Sequence, residues 1–244
     1  MSTEPLPRKV RDDDAKYLEN RKRFSERAGE RDLWSIMDQW PLYCGVKNLA
    51  RTLAVNDLVR TSLSTPGHIA EFGSWKGANL VYMAKLLKIY APQAAKLVHC
   101  FDSFEGLTEF AEEDGKANEL GGKYKGSFEE LLEVIRLYDL EDDIRIHKGL
   151  IEETLPPLLK KEKALSFSLV YIDTDLFSST QLILRSLHPR LVKGGAFVLD
   201  EWNDPMYPGE GVAANEFLNE YSEYYQAEAL PHTRQPNMVL RRIK

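Results

Sequence analysis

From Gly67 onward, short apolar runs alternate with longer stretches of helical periodicity. The runs are HIAEFG (68–73), KLVHCFD (96–102), DIRIHKG (143–149), LSFSLVYID (165–173) and GAFVLD (195–200). Five strands separated by helix-length segments predict parallel βαβ units. Ala78 to Tyr90 is rich in good helix formers. Ser127 to Tyr138 carries Phe128, Leu131, Leu132, Val134, Ile135 and Leu137, and Ser178 to Leu191 repeats Leu182, Ile183, Leu184 and Leu187 before Gly194-Gly195. A last helix is expected near Val212 to Tyr225. The Pro-broken stretch after it leads to NMVLRRI, which predicts a terminal hairpin at the sheet edge. The pattern therefore describes an α/β, Rossmann-like fold: a mostly parallel seven-stranded sheet with helices on both faces.

Two regions depart from this rhythm. Eleven of the nineteen residues from Asp13 to Arg31 are charged with mixed sign, which reads as a solvated helix with one thin contact stripe or as a mobile arm. Apolar density rises from Trp34 to Leu63, with Leu49, Leu53, Leu58 and Val59 at helical spacing, so residues 1–66 form a helical N-terminal arm and cap ended by Pro66-Gly67, and residues 67–244 form the main domain. The segment Leu107 to Lys125 is polar, Gly-containing and long for a connection. It reads as a lid or binding loop, or else as a disordered surface insertion.

Composition narrows the function. The 244 residues carry 32 Lys plus Arg against 38 Asp plus Glu, a formal charge of -6, which argues against nucleic acid as the main partner. Cys44 and Cys100 are too few for a disulfide scaffold and lack zinc-site spacing. No apolar run is long enough to span a membrane, and Met1 to Asp14 lacks a secretory apolar core, so the expected location is the cytoplasm.

In an open parallel sheet, ligands bind outside the carboxyl ends of the strands, and here those ends are acidic. The first strand ends Glu71-Phe72-Gly73-Ser74-Trp75-Lys76-Gly77, where Gly73 and Gly77 permit a tight turn close to a ligand. Asp102, 25 residues beyond Gly77, is placed to accept from ribose hydroxyls. The dinucleotide fingerprint G-x-G-x-x-G is not met. Glu71, two residues before Gly73, instead suits S-adenosylmethionine, which has no phosphate and carries an ammonium; the alternative is an ordinary glycine turn beside a surface Glu. The fourth and fifth runs end Asp173-Thr174-Asp175 and Asp200-Glu201. If the two strands are neighbours, Asp173, Asp200 and Glu201 converge as oxygen ligands for Mg²⁺; otherwise they are solvated strand-end acids, with Asp175 a helix cap.

The segments EFGSWKGANL, CFDSFEGL, GLIEETLP, YIDTDLFSST and VKGGAFVLDEW, in this order, resemble the macrocin O-methyltransferase family over the chain from about Trp40 onward. The resemblance implies a class I methyltransferase fold that uses S-adenosylmethionine and Mg²⁺ to methylate a hydroxyl of a deoxysugar in antibiotic biosynthesis. It implies that Glu71, Gly73, Ser74, Trp75 and Gly77 surround the methionine moiety, that Asp102 with Ser103 holds the ribose, and that Gly149, Leu150 and Ile151 lie against the adenine. Asp173, the cofactor's neighbour, would bind the metal with Asp200 and Glu201. The chain departs from the family pattern in having Asp200-Glu201 for D-D and Gly73-Ser74-Trp75-Lys76-Gly77 for G-V-W-R-G.

A sugar hydroxyl needs activation and a proton acceptor. Asp175 is the first candidate base and His232 the second, with Asp173 beside them. A catechol-type lysine three residues after Asp173 is excluded by Leu176. The other histidines, His68, His99, His147 and His188, are expected in structural roles, and Tyr43 and Trp202 are candidate acceptor contacts. A sugar-containing small molecule is thus the expected partner of a homo-oligomer. A Rossmann-type oxidoreductase and a non-catalytic methyltransferase-like binding protein are the alternatives.

Overall fold

The computed structural model describes residues 8–244. Among these, nine α-helices and seven strands follow one another as α1 (Arg8–Ala28), α2 (Leu33–Met37), α3 (Trp40–Tyr43), α4 (Val46–Ser62), β1 (His68–Phe72), α5 (Ala78–Tyr90), β2 (Val98–Asp102), α6 (Phe128–Leu137), β3 (Ile144–Lys148), α7 (Ile151–Lys161), β4 (Phe167–Ile172), α8 (Phe177–Leu187), β5 (Leu191–Leu199), α9 (Pro208–Tyr221), β6 (Tyr225–Ala229) and β7 (Met238–Arg242). Two compact units divide within α4, one reaching to Thr52 and the other spanning Leu53–Lys244. In the first unit α1 leaves Leu18 and Phe24 exposed, although both belong to the thin apolar stripe of its sequence. No helix among the described residues is long and apolar enough to cross a membrane.

The second unit is built on one sheet of order β3-β2-β1-β4-β5-β7-β6. The first five strands in that order are parallel, and β7 runs antiparallel between β5 and β6, so the terminal hairpin does close the edge. Alternate strand residues feed two cores. Ile69, Cys100, Leu169 and Val198 pack with α4, α5 and α6, whereas Phe72, Phe101, Ile172 and Phe197 pack with α7, α8 and α9. Chain order reverses between β1 and β4, and this switch point opens a crevice at their carboxyl ends.

Element ends differ from the sequence expectation where polarity masks burial. α8 stops at Leu187 and β5 begins at Leu191, because Leu191 is buried beside Phe167 while Lys193 and Gly194 are exposed. α9 starts earlier, at Pro208. Helix α7 persists through Pro156 and Pro157, held by the buried Ile151 and Leu155 on one face. Residues 107–125 are ordered: a 3-10 segment, Glu112–Leu120, places Ala117 in a satellite core with Leu107, Leu176 and Tyr207.

On the α7/α8 face, His99 lies stacked 5.3 Å from His147, which in turn stacks 4.4 Å from Phe101. His99 Nδ1 lies 3.0 Å from His147 Nε2, and His99 Nε2 is buried with no hydrogen-bond partner, so the tautomer donating from Nδ1 leaves no donor unmet. Burial, aided by His147, His68 and Arg145, lowers the His99 pKa to about 3. The unfolded chain binds this proton near pH 6.5 and the folded chain does not, so the contribution to stability is full above that pH and is lost as pH falls toward the folded value. Between neutrality and about pH 5 the loss should reach roughly 2 kcal/mol. Denaturant titrations at both pH values should show a loss larger by about this amount in the unaltered protein than in His99→Gln, which keeps the smaller contributions of the other buried histidines; equal losses in both would refute it.

Candidate active site

The switch point is set by a glycine. Gly73 has φ +80°, and a Cβ there would lie 1.9 Å from the Asp173 carbonyl oxygen, so β1 and β4 can adjoin at this height only with no side chain between them. Asp173 N–H closes the contact by donating to Phe72 O at 2.9 Å. The chain then turns through Ser74, which is buried and donates from Oγ to Glu71 Oε2 at 2.5 Å. Trp75 follows at φ +50° and is 46% exposed, an uncommon conformation for so large a residue. Its ring meets Tyr124 edge-on at 5.7 Å. Gly77 ends the turn, with Leu131 Cδ1 filling the space of its missing side chain at 2.4 Å.

Asp102 organises this turn from the neighbouring strand. Its Oδ2 accepts from Ser74 N–H at 2.7 Å and Trp75 N–H at 2.8 Å, and its Oδ1 accepts from Phe104 N–H at 2.6 Å. Burial raises its pKa, against the opposite pull of these three donors. An ionised carboxylate has about four acceptor positions, so one remains for a ligand hydroxyl. Ser103 Oγ accepts from Glu105 N–H at 3.1 Å. Gly149 N–H donates to Asp102 O at 3.0 Å, which brings Gly149, Leu150 and the buried Ile151 to the same end of the sheet. The cofactor candidates thus line one edge of the crevice.

The acidic candidates line the other. Carboxylate oxygens of Asp173, Asp175 and Glu201 lie within 4.8 Å of one another. Strands β4 and β5 adjoin through Ile172 and Leu199, as the sequence argument required. Asp200 faces differently: its carboxylate accepts the hydroxyl of Tyr171. Burial first, and then Asp173, Glu201, Asp200 and Asp204, push the Asp175 pKa well above the usual carboxylate range. Burial and Asp200 raise Glu201 to about 8, against the pull of Gln235, whose amide donates to Glu201 Oε1. Glu201 Oε2 is buried with no hydrogen-bond partner. Crowded hard oxygens, one of them without a donor, suit a divalent cation such as Mg²⁺.

Several contributors were not singled out from the sequence. Glu210, fully buried in the first turn of α9, accepts from Glu201 N–H at 2.7 Å, and burial holds its pKa far up. Tyr207 and Tyr124 join hydroxyl to hydroxyl. Burial, the Tyr124 bond and the charge of Asp175 together raise the Tyr207 pKa, which sets this pair beside the acids. Gln235 was overlooked in favour of His232, which is exposed in the same loop. Trp202 packs against the core beneath α9, and Tyr43, in the first unit, accepts from Arg31 at 3.1 Å.

Comparison with known proteins gives this geometry a lineage. The Macrocin-O-methyltransferase (TylF) family matches residues 14–221. The 8-demethyl-8-(2,3-dimethoxy-alpha-L-rhamnosyl)-tetracenomycin-C 4'-O-methyltransferase of Streptomyces olivaceus is 29% identical over 56% of this chain and 53% of its own length. The demethyldecarbamoylnovobiocin O-methyltransferase of Streptomyces niveus is 28% identical over 65% of this chain and 61% of its own. The chain therefore spans between half and two thirds of these relatives. Among solved structures, the calicheamicin methyltransferase CalS11 superposes with TM-score 0.81 at 24% identity, covering 94% of this chain and 92% of that one. The O-methyltransferase NovP superposes with TM-score 0.67 at 23% identity, over 80% of each chain. These solved structures share the fold, and the match across residues 14–221 establishes that the chain belongs to the macrocin O-methyltransferase family.

Proposed function

We propose that the protein transfers a methyl group from S-adenosylmethionine to a hydroxyl of a sugar-containing small molecule, with Mg²⁺ bound at the acidic end of the crevice. The observation that carries this reading is the meeting of two half-sites at the switch point: the Gly73 turn braced by Asp102, and the carboxylates of Asp173, Asp175 and Glu201 within 4.8 Å of one another. Family membership and the sugar and antibiotic O-methyltransferases among the relatives support it, as does a structurally similar Bacillus cereus O-methyltransferase described in complex with SAH.

S-adenosylmethionine would supply a sulfonium methyl, and Mg²⁺ would lower the pKa of a bound hydroxyl. The chain's own residues do the rest. Glu71, through Ser74, fixes the turn against which the methionine moiety would rest, and Asp102 keeps one acceptor position for the ribose. Asp173 and Glu201 would hold the cation directly, with Glu201 Oε2 the oxygen left without a donor, and Asp200, whose carboxylate accepts the Tyr171 hydroxyl outside the crowded trio, would be the least direct of the three ligands expected from the sequence. Asp175 takes the hydroxyl proton on its carboxylate as the oxygen bonds to the methyl carbon and the carbon–sulfur bond breaks, leaving a methyl ether and S-adenosylhomocysteine. The buried Leu176 and Tyr207 exclude water beside it.

Three carboxylates leave coordination positions that two adjacent hydroxyls can fill. Deleting the hydroxyl next to the methylated one should therefore lower kcat/KM by about a hundredfold, near 2.7 kcal/mol. A deoxy analogue methylated at an undiminished rate would refute the chelate, and a preference for planar diols over every sugar would refute the sugar.

A further inference from the structure

Asp175 has φ +62°, a left-handed conformation that aspartate tolerates better than most residues but still holds at a cost, so that its neighbours help to decide whether it is kept. The restraint is found in the segment after it. Leu176 is buried in the satellite core with Leu107 and Ala117 of the insert, and one residue later Phe177 N–H, at the start of α8, donates to Asp114 Oδ1 at 2.7 Å. Asp114 belongs to the insert and is itself fully buried. Its Oδ2 accepts from Ala111 N–H at 2.7 Å, fixing the insert's own turn. A third element closes the joint: a Cβ on Gly209, at the start of α9, would lie 2.0 Å from Asp114 Oδ1 and 2.7 Å from Phe177 N. One carboxylate thus joins the insert to α8 at a point where α9 has made room for it.

We infer that Asp114 is a positioning residue for methyl transfer, a buried clamp that holds the strained Asp175 at the acidic site. This inference rests on the proposed role of Asp175. Both oxygens of Asp114 accept backbone N–H groups, and an amide oxygen can replace only one of them. In Asp114→Asn, either Phe177 N–H or Ala111 N–H loses its partner inside the protein, although size and shape are kept. Freed from the clamp, Asp175 relaxes from its left-handed conformation and the base moves off the acceptor hydroxyl. The cofactor turn, which Asp102 braces separately, is untouched.

The test is amide hydrogen exchange on the full chain together with steady-state kinetics, comparing the unaltered protein, Asp114→Asn and Asp114→Ala. In both variants exchange at Phe177 or Ala111 should speed up at least tenfold while the β1 and β4 amides keep their protection. kcat should fall at least tenfold, with KM for S-adenosylmethionine within twofold of the unaltered value. Unchanged exchange at both amides, or faster exchange with unchanged kcat, would overturn the clamp. A parallel loss of kcat and cofactor KM would do so as well, since that marks a general disturbance. Exchange needs no substrate, so failure of the unaltered protein to methylate any sugar would count against the proposed function and leave the clamp to be judged on its own reading.

Discussion

Asp173→Ala should abolish divalent-cation binding and turnover together, with kcat lowered about a thousandfold or more, while the protein stays folded. Asp173 is one of three carboxylates whose oxygens crowd within 4.8 Å, and its charge helps to raise the pKa of both Asp175 and Glu201. Without a cation that repulsion opposes folding. The metal-free variant should therefore melt at the same temperature as the unaltered protein or higher, which separates loss of a ligand from loss of the fold. Titration calorimetry with Mg²⁺ or Mn²⁺ reads the binding directly. The same measurement divides the remaining acids: Asp175→Asn should keep cation affinity within about threefold and lose turnover, and Asp200→Asn should lose affinity. Loss of the cation in Asp175→Asn with full affinity in Asp200→Asn would contradict this division and make Asp175 a ligand rather than the base. Full cation affinity in Asp173→Ala would remove Asp173 from the site.

Gly73→Ala should be severely damaging for a single added methyl group. The new Cβ would lie 1.9 Å from the Asp173 carbonyl, a backbone atom that cannot swing aside, and alanine at φ +80° adds about 1 kcal/mol of its own. Moving β1 and β4 apart would disturb the Asp173 N–H bond to Phe72 and the buried stacking of Phe72 on Phe101 at 4.4 Å. A loss of about 3 to 5 kcal/mol and a fall in Tm of about 10 °C follow. Gly77→Ala provides the control. Its obstruction is Leu131 Cδ1, a side-chain end that can rotate, so it should cost less even though its φ is also +80°. Calorimetric melting of the two variants tests the contrast; equal losses would mean that conformational strain, rather than the strand contact, dominates.

The fold was largely legible because its strands are buried on both faces. HIAEF, VHCFD and FSLVYI cannot lie in any other layer, and the helices between them carry one apolar stripe each. Less legible were elements whose burial does not show as apolar sequence: the start of β5 through Lys193-Gly194-Gly195, and α7 with its two prolines. The site divides in the same way. Acids at strand ends are exposed to inference by topology alone, so Asp102, Asp173 and Glu201 could be named. Asp114 sits in the run EEDG, which reads as a solvated charged face, and only the docking of the insert on Phe177 N–H and Gly209 reveals it as buried. Glu210 and Gln235 are met only through Glu201, a contact between segments that no local pattern records. The crowding of Asp175 rather than Asp200 against Asp173 and Glu201 is likewise a matter of side-chain direction: Asp200 is drawn to the hydroxyl of Tyr171, a residue of the neighbouring strand.

We propose methyl transfer to a sugar hydroxyl at this crevice. It is tested most directly by incubating the full chain with S-adenosylmethionine carrying a deuterated methyl group, Mg²⁺ and a panel of deoxysugar-bearing acceptors, and following both products by mass spectrometry. The expected result is one labelled methyl on an acceptor oxygen for each S-adenosylhomocysteine released, with both products lost on chelation and in Asp175→Asn. Cofactor bound and turned over with the label appearing on nitrogen, carbon or water-derived methanol, or on a sugar at full rate in the presence of excess chelator, would contradict it.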